Sequence, residues 1–216
     1  MSAASRAPQS THHRRSRRRG GRRGRAALLA TGAAVAALTL SACDFGGTSG
    51  GSGNTNFVAG SDGIATAAKA DRKPLPDLDG KTLDGKPLNL TEAYKGKVLV
   101  INVWGSWCAP CRAEAPNFVK VAKEKKAEGV EFVGINTRDP ERGPATAFED
   151  AHDVPYPSVY DPTGKLMLRF PRGTMNPNFI PSTLVVDRDG KIAARSQQPL
   201  SEAKLRKMID PVLAEK

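Results

Sequence analysis

Histidine and cysteine are scarce in this chain, and each shortage excludes some chemistry. Three histidines occur in 216 residues, two of them (His12 and His13) near the N-terminus, so His152 stands alone in the rest. The three cysteines are Cys43, Cys108 and Cys111. A structural zinc site takes four ligands. Cys108 and Cys111 have no second cysteine pair to complete one, so no metal and no cofactor is expected. Haem attachment requires a histidine directly after the second cysteine of the pair, and residue 112 is arginine. No further cysteine stands in a peroxidase context. The longest apolar run, from Ala26 to Leu40, has about 15 residues, short of the roughly 20 that span a bilayer.

Acidic residues are absent before Asp44, whereas nine arginines fall in the first 25 residues. The formal charge of +11 first suggests a nucleic-acid partner. Its distribution removes that suggestion. Nine of the 33 basic residues are in the leading block, which leaves 24 against 22 acids, or +2, for everything from residue 43 onward. An arginine-rich start, a short apolar run and then Ser41-Ala42-Cys43 follow the order of a secretory signal. A short, uncleaved membrane anchor is the competing reading of the same run.

Leu40-Ser41-Ala42-Cys43 also resembles a bacterial lipobox, which implies cleavage before Cys43 and thioether lipidation of it. Residues 1–42 would then be a lipoprotein signal peptide. A Gly/Ser-rich stretch follows, and such composition behaves as a flexible tether. Residues 43–73 are read as that tether, and residues 74–216 as the folded domain. Lipidation of Cys43 leaves Cys108 and Cys111 as a pair, which disposes of the odd cysteine in an exported protein.

Within the domain, Val98 to Trp104 is a β-branched apolar run that suits a strand buried on both faces. From Cys108 to about Glu128 a helical period appears, with Ala115, Phe118, Val119 and Ala122 on one face and Gly129 as its end. Val130 to Asn136 predicts a second strand, and Ala145 to His152 a helix. Thr183–Asp187 and Lys191–Ala194 flank the turn signal Arg188-Asp189-Gly190. Ser201 caps a last helix that turns Leu205, Met208 and Ile209 inward. Two short extended pieces around residues 74–78 and 82–88 precede all of this, with Thr91 as the cap of a short helix. The order implies an α/β fold: a mixed sheet covered by helices.

Trp107-Cys108-Ala109-Pro110-Cys111 lies where a buried strand gives way to a helix. The first turn of a helix has unpaired N–H groups and a partial positive charge, which stabilise a thiolate. Pro110 loses little there, because its missing N–H has no helical partner in any case. Cys111 returns to the face of Cys108 one turn later. The chemistry that follows is exchange: Cys108 attacks a partner disulfide, and Cys111 resolves the mixed disulfide. A static disulfide across two residues would add little loop-closure stabilisation.

Val100 to Pro116, with Trp107-Cys108-Ala109-Pro110-Cys111 at its centre, resembles the active-site segment of the TlpA/ResA group of thioredoxin-like proteins. Ile180-Pro181-Ser182-Thr183-Leu184-Val185-Val186-Asp187 resembles the group's second signature. The resemblance runs from about Pro74 to the C-terminus. It implies a thioredoxin-like fold, a central mixed sheet flanked by helices, with an N-terminal β extension. It implies a redox-active disulfide of Cys108 and Cys111. Pro181 matches the cis-proline facing the dithiol, and the backbone of Ile180 would pair with an incoming polypeptide. Glu114 matches the acid behind the second cysteine, a proton handler for Cys111. Asn102 stands where thioredoxin has a buried aspartate. Trp107 is expected to pack over the site and help dock substrate. Partners implied are protein thiols and disulfides, apocytochrome c among them during cytochrome c maturation, with a membrane thiol-transfer protein as electron donor. The protein is expected as a monomer anchored by lipid on the extracytoplasmic face of the cell membrane, with no nucleic-acid partner. An oxidase or isomerase for exported proteins remains an alternative, because Ala109-Pro110 does not fix the direction of electron flow. A copper-carrying assembly factor on a related fold is more remote, since those proteins space their cysteines by three residues and use a histidine.

Overall fold

The computed structural model describes residues 56–215. The signal segment, Cys43 and the first part of the expected tether lie outside the described residues. Along the chain come β1 (Phe57–Ala59), β2 (Ile64–Ala67), β3 (Asp79–Lys81), β4 (Pro87–Asn89), α1 (Leu90–Ala93) and β5 (Val98–Trp104). Then follow α2 (Ala109–Lys125), β6 (Val130–Thr137), α3 (Arg142–His152), β7 (Ser158–Asp161), β8 (Ser182–Val186), β9 (Ile192–Ser196) and α4 (Glu202–Ala214). A seven-stranded sheet runs in the order β1-β2-β9-β8-β5-β6-β7. β5, β6 and β7 are parallel, while β8, β9, β2 and β1 add antiparallel to the other side.

The central strands explain the layering. All seven residues of β5 are buried. Val98 and Val100 enter one apolar cluster, whereas Leu99, Ile101 and Val103 enter a second. Successive side chains on a strand point to opposite faces, so the run has a core on each side. β6 repeats the division, with Val130 and Phe132 in the first cluster and Val133 and Ile135 in the second. α2 and α4 cover the first face through Phe118, Val121, Leu205, Met208 and Ile209. The second face is closed by the segment before β5 (Leu75, Leu78, Leu90) and by Leu166, Met167 and Phe170. Asn102 has the parity of Val98 and Val100 and therefore faces α2.

Several features differ from expectation, among them the start of α3 at Arg142 rather than Ala145. The tether was expected to reach residue 73, but Phe57–Ala67 form a hairpin whose second strand pairs with β9. Ile64, Ala65 and Ala67 are buried there, and Arg72 bonds both Asp187 and Glu215. Edge pairing recruits a stretch whose small residues carry little hydrophobic period. The cap of α1 is Asn89 rather than Thr91, its Oδ1 accepting the Glu92 N–H at 3.2 Å. β7 was not foreseen.

Candidate functional site

Cys108 is the N-cap of α2, in extended backbone, and its Sγ accepts the N–H of Cys111 at 3.2 Å. One of the orphan donors of the helix start is thus aimed at the sulfur. Cys111 lies one turn on, and the two cysteines form a disulfide, with Cα atoms 5.3 Å apart. Both are almost wholly buried, at 3% and 1% exposure. They pack with Trp104, Leu83 and Ala145, and Ile180 borders them. The Ile180–Pro181 bond is cis. The Ile180 carbonyl oxygen is 3.8 Å from Cys108 Sγ, so the end of the loop before β8 faces the first cysteine.

Glu114, three residues after Cys111 on the same helix, is 2% exposed. Its Oε1 accepts from Asn102 Nδ2 at 3.0 Å, and its Oε2 accepts the Leu200 N–H at 2.9 Å. Asn102 Nδ2 also reaches Thr183 Oγ1 at 3.4 Å. Burial pushes the Glu114 carboxyl up to about 7, and the bonds from Leu200 and Asn102 only partly oppose it. Desolvation disfavours the charged form of an acid. A carboxyl of that kind gives up or takes a proton near neutral pH.

The strand-to-helix loop is tied down residue by residue. Asp139, 2% exposed, accepts the Ser106 N–H at 2.8 Å, the Ser106 hydroxyl, and Asn136 Nδ2 at 2.6 Å. The Ser106 carbonyl in turn accepts from Arg112 Nη1 at 2.7 Å. Trp107 donates its indole N–H to the Thr137 carbonyl at 3.3 Å. The ring folds back over Gly105, where a Cβ would lie 2.5 Å from the indole nitrogen. The Arg138 guanidinium stands 5.2 Å from the Trp107 ring centre. Trp107 is half-exposed beside the disulfide rather than sealed in the core.

The structure therefore brings Cys108, Cys111, Glu114, Ile180, Pro181 and Trp107 to one end of the sheet. Sequence reasoning missed Asp139, Arg138, Arg112 and the Leu200 N–H. Asp139 stands just past the buried strand β6, a place it shares with any loop acid.

A cysteine pair at a helix N-terminus, facing a cis X–Pro bond across the end of a mixed sheet, defines the thioredoxin-like class of dithiol–disulfide proteins. Within that class the chain belongs to the Redoxin family, which matches residues 69–209. The chain is 37% identical over 130 residues to the thiol:disulfide interchange protein HelX of Rhodobacter capsulatus, covering 59% of this chain and 68% of that protein. It is 27% identical over 139 residues to the thiol-disulfide oxidoreductase ResA of Bacillus cereus, covering 64% and 73%. Among solved structures, a secreted thiol-disulfide isomerase from Corynebacterium glutamicum superposes with a TM-score of 0.66 at 31% identity, covering 71% of this chain and 93% of that one. A DsbF homologue from Corynebacterium diphtheriae superposes with a TM-score of 0.64 at 30% identity, covering 70% and 94%. The protein is a thiol–disulfide oxidoreductase of the ResA/HelX type.

Proposed function

We propose that this oxidoreductase reduces disulfides in exported proteins, apocytochrome c among them, while tethered to the outer face of the cell membrane through a lipid on Cys43. Among the described residues no helix is long and apolar enough to cross a membrane; the tether is argued from the lipobox-like Leu40-Ser41-Ala42-Cys43 and the glycine-rich stretch after it.

The observation that supports the exchange mechanism is Glu114, buried one turn behind Cys111 where it can take the Cys111 proton; the reduction potential sets the direction. In the reduced protein, the Cys108 thiolate attacks one sulfur of the substrate disulfide. A Cys108–substrate bond forms, and the other substrate sulfur leaves and takes a proton. Cys111 then gives up its proton, with Glu114 as the acceptor, and attacks Cys108 Sγ. The second substrate sulfur departs as a thiolate and takes the proton held by Glu114, and the Cys108–Cys111 disulfide remains. Two electrons have passed to the substrate, with one proton from Cys111 by way of Glu114 and one from solvent. A membrane thiol-transfer protein restores the dithiol.

The likeness to a named disulfide isomerase supports a second reading, in which the pair oxidises or reshuffles exported proteins. The reduction potential of Cys108–Cys111 separates them. A value near that of thioredoxin, roughly −270 mV, supports the reductase, and one near that of DsbA, roughly −120 mV, supports the oxidase. Labelled palmitate should appear in the mature protein and vanish in Cys43→Ala; wild-type protein without lipid would remove the anchor.

A further inference from the structure

We propose that the rim of the Cys108–Cys111 disulfide selects substrate segments whose disulfide is flanked by acidic side chains. The proposal rests on the thiol–disulfide reading and adds the class of segment recognised.

Two arginines, one on α2 and one directly after β6, both reach the Ser106–Trp107 stretch just before Cys108. Arg112 directly follows Cys111, and its Nη1 bonds the carbonyl of Ser106, two residues before Cys108. Arg138 spans from the Trp107 ring to the Pro177 carbonyl, 2.8 Å from its Nη2. Both are exposed. Neither has a carboxylate within ion-pair distance among the described residues. The carboxylates next to these arginines in the chain, Glu114 and Asp139, are buried and turned onto internal donors. Glu141, the N-cap of α3, is exposed in the same loop, so the charge these segments offer outward is Arg112, Arg138 and Arg142 against one carboxylate.

The backbone at Arg138 points the same way. Its φ is +59°, a left-handed conformation that glycine or asparagine holds more easily. The structure keeps an arginine there, with its guanidinium over an aromatic face and free of any acid. Large apolar side chains exposed among the described residues are four, and two of them are Trp107 at 47%, directly before Cys108, and Phe179 at 54%. Phe179 immediately precedes Ile180, whose carbonyl faces Cys108. An extended segment laid along Ile180 would thus pass the exposed Phe179 and Trp107 and the guanidinium groups beside Trp107 and Ser106. Exposed arginines of this kind give electrostatic steering and register more than raw affinity.

The test uses the reduced protein and two short peptides, each with one internal disulfide, identical except for aspartate or lysine flanks. A neutral small disulfide, hydroxyethyl disulfide, reports on exchange itself. The aspartate peptide should be reduced about tenfold faster than the lysine peptide at low ionic strength. The ratio should collapse toward one in high salt, because exposed charges are screened. Arg138→Gln and Arg112→Gln should each lower the ratio, and Arg138→Lys should retain it. Equal rates for the two peptides, or an unchanged ratio in both glutamine variants, would overturn the proposal while reaction with hydroxyethyl disulfide leaves the oxidoreductase reading standing. No reaction with hydroxyethyl disulfide would overturn both.

Discussion

The carboxylate of Glu114 accepts the backbone N–H of Leu200 at 2.9 Å, linking the dithiol helix to the residue just before the cap of α4. With the bond from Asn102, it holds a buried acid whose carboxyl is pushed up to about 7.

That value gives a signed prediction. A carboxyl raised in the folded state binds its proton more tightly there than in the unfolded chain. Its favourable contribution is present at low pH and is lost as pH rises from the ordinary glutamate value of 4.5 through about 7. Wild-type stability should therefore fall across that window by up to about 3 kcal/mol relative to Glu114→Gln. Urea unfolding of the oxidised proteins at several pH values measures it. The same substitution should shift the pH profile of exchange, and the shift belongs to the coupled acid and thiols rather than to one residue. Superimposable profiles would withdraw the role given to Glu114.

Asp139 holds Ser106, two residues ahead of Cys108. Asp139→Ala would leave the Ser106 N–H and the Asn136 side-chain amide without that acceptor in a buried place. An unmade buried hydrogen bond to a charged partner is costly, so the expected loss is about 3 kcal/mol, with Ser106→Ala costing about 1 kcal/mol. Denaturant midpoints of the two variants check this. A loss under about 0.5 kcal/mol for Asp139→Ala would mean the carboxylate does not hold the loop.

Arg72 ties the segment after β2 to the β8–β9 turn. Its guanidinium meets Asp187 at 2.9 Å and Glu215 at 2.6 Å, and the Arg72 and Asp187 side chains are 6% and 5% exposed. Asp187 also accepts the N–H groups of Asp189 and Lys191, which softens the loss of the arginine. Glu215 is partly open to water. Arg72→Met should therefore cost about 2 kcal/mol, below the full penalty for splitting a buried pair. Thermal unfolding reads it, and an unchanged midpoint would show the N-terminal hairpin to be held by strand pairing alone.

The parts legible in the sequence are those with a dense physical signal. β5 showed itself as a mostly apolar run rich in β-branched residues because both its faces are buried, and α2 showed itself through its 3.6-residue period and Gly129, which sits at φ +85°. The cysteine pair was legible because spacing and placement coincide. β7 stayed hidden because Ser158–Asp161 is only four residues long, begins and ends on polar side chains and follows Pro155 and Pro157. The β1–β2 hairpin stayed hidden because Ala65, Thr66 and Ala67 have little apolar bulk, and what orders them is a partner strand more than a hundred residues away. Asp139 and Leu200 were missed for a related reason. An acid after a strand looks like a loop residue, and a backbone N–H has no signature, until the fold brings each to its partner.

The central claim is that Cys108 and Cys111 divide the labour of exchange, the first attacking and the second resolving. Trapping measures it most directly: Cys111→Ala and Cys108→Ala are each reacted with disulfide-bearing protein, then run without reductant, with the linked cysteine identified by mass spectrometry. Cys111→Ala should accumulate mixed disulfides through Cys108, because no second thiol remains to release them. Cys108→Ala should trap far less. Equal trapping by the two variants would contradict the account.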